Sequence, residues 1–499
     1  FKFQFCKPSP LLHYMRSALH NFPRDAVEEV PSIRRICVNL LVQAGPTVIS
    51  NLLSFATELI NTIFIGRYGS KDQLAAVGLG NMMQNVFGLS IGIGLTSALD
   101  TLSSQACGAG EGRLACIYAQ RARVILGIQI LWMWPLLAFC DLWLTAIGQD
   151  ATVAKLAAEY NRITAPFLLI FFQSLCLRRL SSAFLRPRGP MIISCVVAAL
   201  HIPWVYFFVA YLQLGNTGLG LANGVSWTTR FVCMNLLWWK IAPQLGLQRS
   251  WILGFQKESL HGWVEYLKIG LPSALQTAGE WWFFEICSLV VGYLGATALA
   301  AHSAAMSFIT LPFMVPSGIG SGSCTLVGNA IGKGLPKLAK RTGMVSVFLV
   351  LCLWAIISAL AIAFSHQLVS IFSIDAQVKH TMRVLLLIYF AQGFFDASQN
   401  VMSSVLRGLG EVRVPSITYL VTFYLLMLPL AVIFAFPFNL GVQGVWLSMG
   451  TGTGCAAIIF AVVLARKDYS ALVHAARERI CRDGKGHEVH LQEPLGNDS

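Results

Sequence analysis

The sequence predicts an all-α polytopic membrane protein: twelve transmembrane helices in two parallel six-helix bundles related by pseudo-two-fold symmetry. Three observations predict it. Of the 499 residues, 56% are hydrophobic and only 12% are charged, about half the charged share of a soluble domain. Apolar runs of about 20 residues, enough to cross a bilayer, recur along the whole chain. The chain also repeats itself at half its length.

The predicted spans are 38–64, 74–102, 121–143, 160–182, 190–212, 216–240, 266–292, 299–328, 342–364, 382–405, 415–437 and 440–465. Polar or helix-breaking groups interrupt several of them, which membrane helices tolerate when neighbouring helices satisfy the backbone. The first holds Gly45-Pro46, the second a glycine-rich run before Asp100, the fifth His201 beside Pro203, the sixth Arg230, the seventh Leu271-Pro272 and the tenth Gln392 to Asn400. Around the spans lie an N-terminal segment (1–37), an N-lobe (38–240), an inter-lobe connection (241–265), a C-lobe (266–465) and a tail (466–499). The polar tail is expected to be disordered. Trp251, Ile252, Leu253 and Phe255 in the connection are expected at the bilayer surface.

The repeat has an offset of about 226 residues. Gly45-Pro46, Gly66-Arg-Tyr-Gly69 and Leu74-Ala-Ala76 face Leu271-Pro272, Gly292-Tyr-Leu-Gly295 and Leu299-Ala-Ala301. IGIGLTSALDTLSSQACGAG faces SGIGSGSCTLVGNAIGKG, and LGNTGLGLANG faces LGVQGVWLSMG. Six spans per half is an even number, so the second copy enters the membrane in the same direction as the first. Such parallel repeats place the binding site between the halves.

The formal net charge of +13 follows from membrane topology rather than from nucleic acid, because Lys and Arg collect in cytoplasmic loops. With the N-terminus inside, about 29 of the 36 Lys and Arg fall on the inner side, including Arg178, Arg179, Arg186 and Arg188 after span four. Both termini are therefore expected in the cytoplasm. The thirteen cysteines are scattered, with no CxxC pair, and read as small core residues rather than a disulfide framework or metal site.

Each ionisable group inside a span is a candidate, since an Asp, Lys or Arg at the bilayer centre costs about 2.5–3.5 kcal/mol. The set is Glu58, Asp100, His201, Arg230, Glu280, Glu285, His302 and Asp396. Glu280 and Glu285 are five positions apart, about 140° around the helix, so they face different environments. A carboxylate taken out of water binds a proton more readily and releases it on rehydration, the property a proton-coupled carrier needs. Asp396 shares a helix face with Gln392 and Gln399, and with Asn400 and Gln276 these suggest a hydrated pocket. Trp281 and Trp282 offer π faces to a cation, although packing is the commoner use of such a pair. In the N-lobe, Glu58, Asn61 and Asp100 are secondary candidates. His201 and His302 suit a proton relay by their ordinary pKa, against the commoner role of a helix-packing histidine. GIGIG lacks a preceding strand and GNAIGKG lacks a Gly-Lys-Ser/Thr ending, so no nucleotide-driven pump and no enzyme site is read.

AGPTVISNL, ALDTLSSQACGAG, GEWWFFE, VGNAIGKG and SSVLRGLGEVRVP resemble the multidrug and toxic compound extrusion (MATE) transporters, and look more like their eukaryotic branch. The resemblance covers residues 38 to 465. It implies a V-shaped carrier that exports organic cations or xenobiotics in exchange for protons or sodium ions, with Glu280, Glu285 and Asp396 at the family's acidic positions. Many bacterial relatives carry an aspartate in a VDT-like setting in helix one. This chain reads INT there, with Asn61, and Glu58 lies about one turn earlier.

The sequence thus predicts a proton-coupled antiporter with Glu280 and Asp396 as coupling and cation-recognition groups and Glu285 in support. Alternatives are sodium coupling, export of anionic metabolites such as a flavonoid or citrate, or a lipid-linked flippase. Against the last stands Arg230 as the one clear mid-span base. No cofactor, metal or nucleic acid is expected; the partners are the bilayer and a small organic substrate, and the chain is expected to be a monomer. The host membrane is left open between plasma and vacuolar or endosomal membranes.

Overall fold

A computed structural model describes residues 30–372 and 375–489. Residues 1–29 and 490–499 of the two expected terminal segments lie outside it. The long helices are α1 (Ile33–Tyr68), α2 (Lys71–Gly108), α3 (Gly112–Ala138), α4 (Ala151–Ala183), α5 (Arg188–Tyr211), α6 (Gly215–Ile241), α7 (Trp263–Gly292), α8 (Ala296–Lys333), α9 (Pro336–Ala363), α10 (Ala376–Leu409), α11 (Arg413–Ala435), α12 (Gly441–Arg466) and α13 (Tyr469–Val489). Local chemistry sets several ends. Ser70 and Gln73 form a reciprocal capping box that starts α2, and Asp150 caps Thr152 and Val153 at the start of α4. Both devices satisfy amides that have no partner within the helix.

Each predicted span overlaps one of α1 to α12, but five overrun their helix by one to five residues; the third does so most, because α3 ends at Ala138 and 121–143 continues into the short helix Cys140–Ala146. Nine of these helices are long and apolar enough to cross a membrane by length and composition among the described residues. The other three, α6, α7 and α10, run 27, 30 and 34 residues and carry more polar groups. They are the helices that hold Arg230, Glu280, Glu285 and Asp396, so apolarity falls where the chemistry is.

Packing repeats with the sequence. In the first half α1 packs on α5, α2 and α3 on α4, and α4 and α5 on α6; six helices later α7 packs on α11, α8 and α9 on α10, and α10 and α11 on α12. The backbone copies itself too. Gln213 (φ 54°) and Gly215 (φ 55°) before α6 match Asn439 (φ 55°) and Gly441 (φ 56°) before α12. A left-handed residue that is not glycine is uncommon, and here it recurs at the repeat offset.

The lobes share helices at their seam. α1 leans on α8, α7 leans reciprocally on α2, and α2 meets α8 across the pseudo-two-fold. Glycines let the backbones touch: a Cβ at Gly94 would lie 2.4 Å from Ala274 Cα, at Gly318 2.3 Å from Val48 Cγ2, at Gly108 2.2 Å from Asn329 O and at Gly332 2.1 Å from Gln105 O. All these contacts fall in the half of the molecule that carries the described chain ends, here the terminal face. Toward the opposite face the lobes part, leaving a V-shaped cleft.

Two expectations are corrected. Part of the tail expected to be disordered forms α13, which lies across the terminal face and binds both lobes. Tyr118 donates to Asp483 Oδ2 at 2.7 Å and Arg121 pairs with the same carboxylate at 3.7 Å. Arg479 donates to Gln105 Oε1 at 2.7 Å, and Arg482 pairs with Glu265 at 3.1 Å. A polar composition was mistaken for lack of partners, when the partners are charged groups of the helix ends. The connection likewise folds onto α3 instead of lying wholly at the bilayer surface. Gln120 and Arg123 donate to the carbonyls of Trp251 and Ile252 at 2.6 and 3.0 Å, and Ile252 is buried while Phe255 stays exposed.

Candidate functional site

Inside the C-lobe three helices build a polar chamber. α7 contributes Gln276 and Glu280, which lie one and two helical turns beyond the kink-forming Pro272. α10 contributes Tyr389, Asp396, Gln399 and Ser403, and α11 contributes Tyr419. Asp396 accepts from Gln399 Nε2 at 3.2 Å and lies near Tyr389. Gln276 Nε2 donates to Ser403 Oγ at 2.8 Å, tying α7 to α10. Tyr419 lies in the fields of both Glu280 and Asp396.

Glu280 and Asp396 are close enough to interact, and Arg407 is the cation that registers at Glu280. Both residues are half-buried, with protein packed around them. Two like charges in such a chamber are eased by a proton or a cation between them. The tyrosines and amides around them supply oriented dipoles rather than permanent neutralising charge.

The remaining sequence candidates separate. Glu285 is half-buried on α7 and makes no hydrogen bond or ion pair among the described residues; it does not join Glu280 and Asp396, in line with the helical angle but not with a direct supporting contact. Gln392 turns away from the pocket and donates to Trp446 O at 2.8 Å. Asn400 approaches α8 beside Gly320. Trp282 donates to Val86 O at 3.0 Å; Val86 lies in a π-helical turn, Asn85–Leu89, within α2, so this indole bridges the lobes at the cleft. Trp281 is half-buried beside it.

His302 is fully buried in packing. Its Nδ1 accepts from Trp446 Nε1 at 3.0 Å, and its Nε2 lies 3.2 Å from Ser288 Oγ, whose own proton goes to Phe284 O at 3.1 Å. The ring proton is therefore on Nε2 and the imidazole is neutral. His201 stands in a hydrogen-bond chain of the N-lobe: Nδ1 is 2.8 Å from Ser226 Oγ and Nε2 is 2.8 Å from Asn61 Oδ1. Asn61 Nδ2 donates to Asn223 Oδ1 at 2.9 Å, Asn223 Nδ2 to Tyr160 Oη at 3.2 Å, and Tyr160 to Asn81 Oδ1 at 3.0 Å. Glu58 is exposed on α1, with Tyr160 the tyrosine that feels its charge.

Asp100 is paired with Arg179 in an ion pair whose side chains are 5% and 14% exposed. Arg407 of the C-lobe interacts with the same neighbourhood around Cys324, and Thr101 donates to Arg407 O at 2.7 Å. Asp100 thus belongs to the seam. The sequence had put Arg178 and Arg179 in a loop; both stay helical within α4, with side chains drawn into the N-lobe. Tyr389, Tyr419, Ser403 and Arg407 were not singled out as site residues. Only their proximity across helices marks them, and hydropathy carries no such signal.

The MatE family model matches residues 46–207 and again 272–433, two copies at the offset read from the sequence. Multidrug and toxin extrusion protein 1 of Mus musculus is 31% identical over 448 residues, 87% of this chain and 77% of its own length. Multidrug and toxin extrusion protein 2 of Oryctolagus cuniculus is 30% identical over 443 residues, 88% of this chain and 72% of its own. The eukaryotic MATE transporter AtDTX14 superposes with a TM-score of 0.82 at 24% identity, over 90% of this chain and 99% of that one. Vibrio cholerae VcmN in its bent form gives 0.77 at 18% identity, over 89% and 98%. At these identities the two solved structures speak for the fold alone.

Proposed function

The chain belongs to the MatE family, a multi-pass membrane transporter of the multidrug and toxin extrusion kind and not an enzyme, and on that footing we propose that it is a proton-driven antiporter for organic cations. The observation that carries the proposal is the chamber where Glu280 of α7 and Asp396 of α10 share one environment. Proton and cationic substrate compete for the same negative charge, so each lowers the other's affinity by the same factor. Protonation of the chamber in the cleft-open state releases the cation; deprotonation toward the other side restores an anionic site for the next one. The terminal face is then cytoplasmic, as the distribution of Lys and Arg suggests, and the cleft opens outward.

Transport in sealed vesicles tests this. A cationic dye is expected to move against an imposed pH gradient in the absence of sodium, and Glu280→Gln is expected to abolish that exchange while the protein still inserts and remains monodisperse. Uptake driven by sodium and indifferent to pH would replace the proton with sodium as the coupling ion.

A further inference from the structure

The connection between the lobes shows large apolar side chains to its surroundings: Phe255 and Leu260 are 60% and 56% exposed. Its backbone is pinned to α3 by several ties. Gln120 donates to Trp251 O at 2.6 Å and accepts from the Gln256 amide at 2.7 Å. Arg123 donates to Ile252 O at 3.0 Å, and its guanidinium lies 4.9 Å from the centre of the Phe255 ring. Arg113 pairs with Glu258 at 2.9 Å and lies 5.8 Å from the centre of the Trp251 ring. Between the connection and α3 these ties hold open a groove of about 340 Å³, lined by Val124, Phe255, Gln256, Lys257 and Leu260.

The groove continues the outer surface of a spanning helix. Val124, Ile128, Leu131 and Pro135 recur at helical spacing on one side of α3, and Ile128 and Leu131 are 44% and 72% exposed. Such a stripe on a membrane helix faces hydrocarbon, and Val124 ends it on the terminal side, about 10 Å from Leu131. The headgroup level is marked close by. Trp239, exposed in the last turn of α6, accepts from Arg249 Nε at its carbonyl at 3.0 Å and has that guanidinium 4.2 Å from its ring centre. Tryptophan beside a basic residue is a feature of the membrane interface, and Arg249 leads directly into the helical turn Ser250–Leu253 of the connection.

The charge at the groove is positive. Glu258 is neutralised by Arg113, and Arg123 is bound to a neutral amide, Gln173 Oε1 at 2.7 Å, and to a carbonyl. Lys257 is exposed and forms no ion pair among the described residues. Apolar walls open to the acyl region and a free ammonium at the headgroup level match one kind of occupant.

We propose that this groove binds an anionic phospholipid of the leaflet at the terminal face, with one acyl chain between Val124, Phe255 and Leu260 and the net negative headgroup at Lys257. The occupant then rests against the segment that leads from α6 into α7, the covalent link between the lobes.

Photolabelling of the full chain in nanodiscs tests the site, using phosphatidylserine and phosphatidylcholine that carry the same diazirine acyl chain. Both leaflets of a nanodisc hold the lipid, so the result does not depend on the orientation or the cargo of the transporter. Labelling of peptides containing Val124 or Leu260 is expected to favour phosphatidylserine about fivefold, the worth of one lysine near an anionic surface. Lys257→Gln should bring the ratio to about one while phosphatidylcholine labelling is kept, and Lys257→Arg should keep the preference. Lys240→Gln, at an exposed lysine outside the groove, should leave the ratio as in wild type. Equal labelling by the two lipids in wild type overturns the site, as does a preference that survives Lys257→Gln. An equal loss in Lys240→Gln would replace the site with a diffuse basic surface. Peptides at Val124 and Leu260 that neither lipid labels, beside a labelled Leu131, would mean that a second copy or another protein covers the groove, which also overturns the proposal.

Discussion

Replacing Gly108 by alanine should push the lobes apart at the terminal face. The new Cβ would sit 2.2 Å from Asn329 O and 2.9 Å from Asn329 Cα, against a floor of 3.0 Å for real contacts, so the backbones must separate by at least 3.0 − 2.2 = 0.8 Å. Both obstructing atoms are main chain, and no rotamer change can relieve them. Overpacking of this kind costs about 1–3 kcal/mol, which is about 5- to 150-fold in the balance between two conformations. The cost falls on the cleft-open state, in which this crossing is closed. Nitroxides at Tyr68 and Tyr293, 49% and 85% exposed at the far ends of α1 and α7, would read the shift by electron-electron distance measurement in a background without native thiols. The expected result is a gain of the shorter distance as the outer ends approach. Gly45→Ala on α1 is the control, since its Cβ meets nothing within 4 Å and the change should leave the distribution alone. A Gly108→Ala protein that is folded and keeps the wild-type distribution would refute the assignment of this crossing as the closed gate.

Other outcomes follow from the buried polar groups. Asp100→Asn leaves the Arg179 guanidinium without its counter-charge and should cost about 3–5 kcal/mol in detergent denaturation, largely recovered by adding Arg179→Gln; a loss under about 1 kcal/mol would remove the pair from the seam's energetics. His302→Phe should lower stability by about 1–3 kcal/mol through the orphaned Trp446 indole and leave the pH profile of transport in place, whereas a displaced profile would make His302 a titrating participant. Asp483→Ala removes the acceptor shared by Tyr118 and Arg121; trypsin should then cleave α13 several-fold faster, as expected for a loss of about 1–3 kcal/mol, and unchanged cleavage would show that the helix is held by other contacts.

What could be read in advance divides along a physical line. Spans, repeat and lobe order follow from apolar runs and from glycine and proline positions, which are local properties, and Glu280 and Asp396 stood out because a carboxylate in an apolar run is conspicuous. Partners are different. Tyr389 and Tyr419 looked like ordinary aromatics in greasy helices until α10 and α11 came together around Asp396. Arg178 looked like a loop cation because it sits near the end of a span, although its side chain reaches Asn51 on another helix. The tail was misread for the same reason: α13 is polar because its neighbours are, and a single-segment composition contains no information about neighbours.

The hydrogen-bond chain through His201 has a consequence for ion traffic. Its order, Ser226 to His201 to Asn61 to Asn223 to Tyr160 to Asn81, passes through two carboxamides. A hydroxyl or a water accepts and donates at one atom, so a proton can hop along a file of them. A carboxamide accepts at oxygen and donates at nitrogen, and passing a proton through it leaves a high-energy imidic acid that only a flip of the whole side chain could undo. With Asn61 and Asn223 in series the chain is an electrical insulator, a set of ties between α1, α2, α4, α5 and α6 along which no proton can hop.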